Sequence, residues 1–100
     1  MLDINTKMNG SELTVALKGD LDRTSSPELD KMLDETDDSV ESLVMDLGEL
    51  QYISSAGLRI FVKLQKKMSG KGGMTIRNVQ KGVMEIFDLG GFSNYLNIEK

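Results

Sequence analysis

Two adjacent serines, Ser54 and Ser55, followed by Ala56-Gly57-Leu58, are the residues whose types and spacing offer chemistry in this chain. They stand where apolar residues begin to recur at helical spacing, through Leu58, Phe61, Leu64 and Met68, with Arg59, Lys63 and Lys66 forming a basic stripe on another side. The first turn of a helix leaves backbone N–H groups unpaired, and the positive end of the helix dipole lies there, so an anion is favoured at that end. A serine hydroxyl in that place has two uses. It can cap the helix by accepting a backbone hydrogen bond, or it can carry a phosphoryl group. Pattern alone favours the cap. Gly57 permits a close backbone approach, either of a partner or of the sheet on which the helix packs.

Composition removes most other chemistry. The 100 residues include no cysteine and no histidine, which excludes disulfides, thiol catalysis and thiolate-bound zinc, and removes the commonest general base and metal ligand. Asp20, Asp22 and Asp46 are the acids available near the serines, and no base or metal motif completes them. No catalytic residue, metal or cofactor is therefore expected, and the chain is read as a protein that is not an enzyme. A net charge of −4, from 12 basic and 16 acidic residues, gives no footprint for nucleic acid. Ser69-Gly70-Lys71-Gly72-Gly73 is rich in glycine, but it lacks the spacing of a P-loop and follows a helix instead of preceding one, so it reads as a loop. The sequence opens without a signal-peptide pattern, and no apolar stretch approaches membrane-spanning length. A cytoplasmic location away from the membrane is the expectation.

The elements that must position the serines follow from periodicity. Leu2, Ile4, Thr6 and Met8 alternate as a strand, and so do Leu13, Val15 and Leu17 within Ser11–Gly19, with Asn9-Gly10 between them as a hairpin turn. Gly19-Asp20-Leu21-Asp22 is expected to leave the sheet. The hydroxyls, proline and acid of Thr24-Ser25-Ser26-Pro27-Glu28 mark a helix start near Ser26, with Leu29, Met32 and Leu33 inward. Its acids Asp30, Asp34 and Glu35 are read as a solvated surface, and Thr36-Asp37-Asp38-Ser39 as its end. Ser42 to Leu47 is nearly all apolar, the pattern of a central parallel strand covered on both faces. Gly48 to Ile53 reads as a connection to the serines. After the glycine loop come a short strand at Met74–Arg77, a helix outlined by Val83, Ile86, Phe87 and Leu89 and stopped by Gly90-Gly91, and a short terminal strand at Tyr95 to Ile98. Met84 and Phe92 fit either the core or an exposed apolar contact. One domain over residues 1–100 is expected.

Three segments in this order resemble the STAS domain of bacterial anti-sigma-factor antagonists. They are Gly19-Asp20-Leu21-Asp22, then Leu43-Val44-Met45-Asp46-Leu47 leading through Tyr52-Ile53-Ser54-Ser55-Ala56-Gly57-Leu58, then Val83-Met84-Glu85-Ile86-Phe87-Asp88-Leu89-Gly90-Gly91-Phe92. The resemblance implies a small single-domain α/β fold, a mixed β-sheet with an N-terminal hairpin and three to four helices packed against it. It also implies a binding protein that, unphosphorylated, sequesters an anti-sigma factor and so frees a sigma factor. The partners implied are a serine/threonine kinase of the histidine-kinase-like ATPase fold, which phosphorylates the antagonist, and a serine phosphatase, which resets it. Ser55 matches the family's acceptor, with Ser54 as the alternative, since Ala56 takes the place beside Gly57 where the family often has a second hydroxyl. The implied partner-binding residues are Asp20, Asp22, Ser54, Ser55, Ala56, Gly57, Leu58 and Arg59. The other role left open is a STAS scaffold module of another signalling complex, without direct control of a sigma factor. A monomer is expected.

Overall fold

The structure, a computed structural model, describes residues 2–34 and 39–99. Alternating apolar residues form two strands, β1 (Leu2–Asn9) and β2 (Glu12–Leu21), paired antiparallel from Leu2↔Gly19 to Asn9↔Glu12. The turn lies one residue later than expected. Asn9 is the last paired residue, and Gly10-Ser11 makes the turn with Gly10 at φ 63 and Ser11 outside the positive region, which is the type II′ pattern with glycine first. Then come α1 (Ser26–Asp34), β3 (Ser42–Ile53), α2 (Ser55–Met68), β4 (Met74–Arg77), α3 (Lys81–Leu89) and a 3-10 turn at Phe92–Asn94. The four strands lie in the order β1-β2-β3-β4, and β3 is parallel to both its neighbours. This is the small mixed-sheet α/β fold that the resemblance implies, with three α-helices among the described residues. No helix among them is long and apolar enough to cross a membrane.

The expectation of a sheet covered on both faces is not met. The crossovers β2–α1–β3 and β3–α2–β4 both step along the sheet in one direction. Right-handed crossovers of that kind put their helices on the same face. Leu13, Val15, Leu17, Leu43, Met45, Leu47, Met74 and Ile76 accordingly join Leu29, Leu33, Phe61, Leu64, Val83 and Phe87 in one apolar cluster. The other face carries Thr14, Val44 and Thr75 side by side in register. Val44 is 4% exposed yet lies outside the cluster.

Gly48 to Ile53 is not a connection but the second half of β3. Two register shifts against β2 conceal it, between Ala16 and Lys18 and between Gly19 and Asp20, each adding a residue to β3. The inward residues therefore fall three apart, at Leu47, Leu50 and Ile53, all buried. Asp46 holds the first bulge: its Oδ1 accepts from Gly48 N at 3.0 Å and from Asn78 Nδ2 at 3.2 Å. For the same reason Gly19 to Leu21 remain in β2, where a departure from the sheet was expected.

Helix α1 starts at Ser26 as expected, and of the polar run expected to end it, Thr36 to Asp38 lie outside the described residues. In α3, Val83 and Phe87 are buried four residues apart, and Ile86 is half-buried, whereas Leu89 is 89% exposed. Two residues beyond Phe87 is about 200° around a helix, so Leu89 turns away from the core. Met84 and Phe92 are half-buried against the cluster. The terminal strand is reduced to one bridge, Ile98 to Ile76, flanked by Ile76 N donating to Asn97 O at 2.9 Å and Glu99 N to Ile76 O at 2.7 Å.

Replacing Asp46 with alanine removes the acceptor at the bulge. It should lower stability by about 1 kcal/mol, seen as a lower urea midpoint with an unchanged slope.

Candidate functional site

The ends of β2 and β3 and the start of α2 meet at one point. Leu21 pairs with Ile53, Asp20 with Tyr52, and Ser54 N donates to Leu21 O at 2.8 Å. This brings Asp20, at the end of β2, and Asp22, just beyond it, to the serine pair's end of the sheet. Gly57 makes the junction possible. A Cβ built there would lie 2.8 Å from Leu21 Cγ and Cδ2 and 2.9 Å from Ile53 Cγ1, so only glycine lets the helix sit this close to the sheet. Of the two uses foreseen for Gly57, the structure displays helix-to-sheet packing. Leu58 is buried beside it at 7% exposure.

The two serines differ. Ser54 is the N-cap, extended at φ −93 and ψ 174, half-buried, with its carbonyl accepting from Leu58 N at 3.0 Å. Its Oγ accepts from Gly57 N across a long 3.4 Å. Ser55 is the first helical residue and is exposed, and its hydroxyl has no hydrogen-bond partner among the described residues. Ala56 is half-buried and Arg59 exposed.

The neighbouring loop is ordered by its own polar groups. Asp22 Oδ1 accepts from Thr24 N and Ser25 N, each at 2.9 Å, and from Ser25 Oγ at 3.1 Å. The single Ser25 hydroxyl proton is shared between Asp22 Oδ1 and Asp20 O, the latter at 2.8 Å, and Ser25 Oγ accepts from Asp22 N at 2.9 Å. The hydrogen bond from Ser25 N is the largest effect on the Asp22 carboxyl and lowers its pKa; desolvation, next in size, opposes it, and the Ser25 hydroxyl and Thr24 N add smaller lowerings that leave the net shift downward. Ser25 orders this turn, a role that sequence reasoning did not assign. The Asp-x-x-Ser spacing of Asp22 and Ser25 was its available signal.

The basic stripe divides. Lys63 Nζ reaches Asp30 at 2.8 Å and Asp34 at 3.3 Å on α1, so these acids, expected as a solvated surface, form an exposed tie between helices. The hydrogen bond that Lys63 donates to Asp30, then that to Asp34, raises its pKa. Arg59 instead lines an open groove of about 250 Å³ between α1 and α2, with Ala56, Ile60, Pro27 and Arg23. Arg23 was not among the residues foreseen beside Arg59. Among the described residues, no group of three or more acids has the arrangement of a metal site. Asp46, grouped with Asp20 and Asp22 in the sequence, is engaged at the β3 bulge.

Comparison with known proteins matches these features to one family. A family model described as "Mlab, STAS domain" matches residues 4–98, and the chain belongs to the STAS domain family. The anti-sigma-B factor antagonist of Bacillus subtilis (strain 168) is 26% identical over 98 residues, spanning 97% of this chain and 90% of that protein. The crystal structure of an anti-sigma factor antagonist from Mycobacterium paratuberculosis superposes with a TM-score of 0.88 at 19% identity, covering 98% of this chain and 85% of that one. The Bacillus cell fate determinant SpoIIAA in its phosphorylated form gives 0.75 at 13% identity, covering 98% and 92%.

Gly57→Ala should destabilise the domain by about 1–3 kcal/mol, because Leu21 and Ile53 are fully buried and have little room to move; chemical denaturation measures it. Asp22 generates a pH effect. Its folded-state pKa is lowered, so its contribution to stability is complete above the unfolded value of about 3.9 and is lost as pH falls through the folded value. Asp22→Asn keeps an acceptor oxygen and removes the titration. Denaturation at successive pH values should show wild type losing stability relative to this variant from about pH 4 downward.

Proposed function

We propose that this chain is an anti-sigma-factor antagonist switched by phosphorylation of Ser55, working in the cytoplasm as a binding protein and not as an enzyme. Unphosphorylated, it sequesters an anti-sigma factor that is also a serine/threonine kinase, and thereby frees a sigma factor. The kinase ends the association by phosphorylating Ser55, and a serine phosphatase restores it. The observation that carries the choice of residue is the contrast between the hydroxyls: Ser54 Oγ faces the Gly57 N–H as a cap, whereas Ser55 is an exposed residue whose Oγ is unengaged among the described residues. The relatives named as antagonists, and the fold shared with a phosphorylated SpoIIAA, support the reading.

The physical step is local. A phosphate on Ser55 adds about −1.5 to −2 charges at the end of α2 where the dipole and first-turn N–H groups favour an anion, so the fold has no reason to change. What changes is the surface. Asp20 and Asp22 lie alongside, and a partner face fitted to a neutral hydroxyl meets a concentrated negative charge. Like charges brought together at an interface cost several kcal/mol, and about 1.4 kcal/mol is already tenfold in affinity. Contacts come from Asp20, Asp22, Ser54, Ser55, Ala56 and Arg59, while Gly57 and Leu58 set their height from beneath. A second reading, a STAS module serving another signalling complex without a sigma factor, is favoured by the family description, which names Mlab and not an antagonist.

Intact-mass spectrometry with site mapping on protein from its native host tests the switch. The added phosphate should vanish in Ser55→Ala and persist in Ser54→Ala. Ser55→Asp should weaken capture of the kinase by at least about tenfold. A phosphate that survives Ser55→Ala, with unchanged capture by Ser55→Asp, rejects the assignment. Identification of the captured kinase's other partner as a sigma factor, or as something else, separates the two readings.

A further inference from the structure

Strand β1 forms one edge of the sheet, and among the described residues no strand pairs with its outer side. Proteins usually blunt such an edge with charged side chains, a bulge, a proline, a very short strand or an overlying helix. Here β1 is eight residues long, contains no proline, and keeps an unbroken register with β2, in contrast to the twice-shifted β2–β3 pair. Its charged residues within the paired stretch are Asp3 and Lys7, of opposite sign and both exposed.

The direction of the free backbone groups follows from the turn. In a two-residue hairpin the closing pair, Asn9↔Glu12, exchanges hydrogen bonds, and bonded and non-bonded pairs alternate from there. Asp3, Asn5, Lys7 and Asn9 thus direct their N–H and C=O groups to β2. Leu2, Ile4, Thr6 and Met8 direct theirs outward, while their side chains lie on the helix-bearing face with Leu2 and Ile4 at the rim of the core.

We propose that two copies of this chain pair antiparallel through β1 about a two-fold axis at Asn5, joining their sheets. In this register residue i opposes residue 10−i. The outward groups of Leu2, Ile4, Thr6 and Met8 meet those of Met8, Thr6, Ile4 and Leu2 of the second copy, so every outward group from Leu2 to Met8 finds a complement. Asp3 stands opposite Lys7 of the second copy twice over, in the non-bonded pairs where side chains come closest. Met8, 46% exposed in the single chain, comes to lie beside Leu2 of the second copy. Register is enforced by charge. A slip of two residues breaks both ion pairs and sets either Asp3 or Lys7 against Asn5, and a slip of four sets Asp3 against Asp3 or Lys7 against Lys7. The single copy expected from the sequence is, on this argument, one half of a weak dimer. The proposal does not rest on the role given to Ser55.

Sedimentation equilibrium across micromolar to millimolar concentrations tests it. Wild type should dimerise. Asp3→Lys and Lys7→Asp, each alone, should weaken self-association at least about tenfold, because each sets like charges opposite one another in both pairs. An equimolar mixture of the two variants should dimerise again, since each then opposes its complement. Thr6→Pro, whose lost N–H faces outward and not toward β2, should keep the folded circular dichroism spectrum and abolish pairing. Wild type that stays monomeric throughout overturns the proposal. So does a dimer indifferent to the charge changes, or variants that fail to recover on mixing.

Discussion

The approach of α2 to the ends of β2 and β3 at Gly57 is the constraint on which the site depends. With no side chain at that position, the first turn of the helix sits against Leu21 and Ile53, and Ser54 N–H is within hydrogen-bonding distance of Leu21 O. Three elements are thereby fixed at one point. The bulges of β3 serve the same end, because two extra residues let that strand stay paired with β2 as far as Ile53, one residue before the cap. A helix start anchored in this way holds its exposed residues at a defined height above the sheet.

Much of the fold was legible in the sequence, and the failures have physical causes. The hairpin, the helices and β4 follow from regular alternation or helical spacing. The second half of β3 did not, because bulges at Gly48 and Gln51 convert a period of two into Leu47, Leu50 and Ile53, a spacing that imitates neither a strand nor a full helix. The coverage of the sheet was misjudged for a different reason. The apolar run of Leu43 to Leu47 suggested helices on both faces, but the direction of the crossovers decides this, and no local pattern encodes it. Leu89 shows the same limit in miniature: its type suggested the core, and its angle around α3 excluded it.

At the site, the sequence showed the serine pair and the acids but not the division between them. Asp22 and Asp46 are each engaged by backbone N–H groups, one ordering the loop before α1 and the other a bulge. Asp20 is half-buried at the end of β2. The arginines on the groove were concealed differently. Arg59 was visible as one member of a basic stripe, whereas Arg23 lies in a turn with no periodicity, and the groove they share exists through the packing of α1 against α2. The same packing takes Lys63 out of the stripe by pairing it with Asp30 and Asp34.

The serine pair then reads as two separate tasks on consecutive residues. A helix that must remain in place while its first residue changes charge needs its cap to be a different residue from the one that changes. Ser54 meets that requirement through its extended backbone, its carbonyl bond to Leu58 and the hydroxyl facing Gly57, none of which involves Ser55. Ser55 contributes helical backbone, and its side chain projects without a described partner, so a charge placed there disturbs no bond that holds α2 to the sheet. The switch proposed for this chain therefore acts through the charge presented to a partner and not through refolding. A modification at Ser54 would have to break the cap to be accommodated, and would couple the signal to the stability of the helix itself.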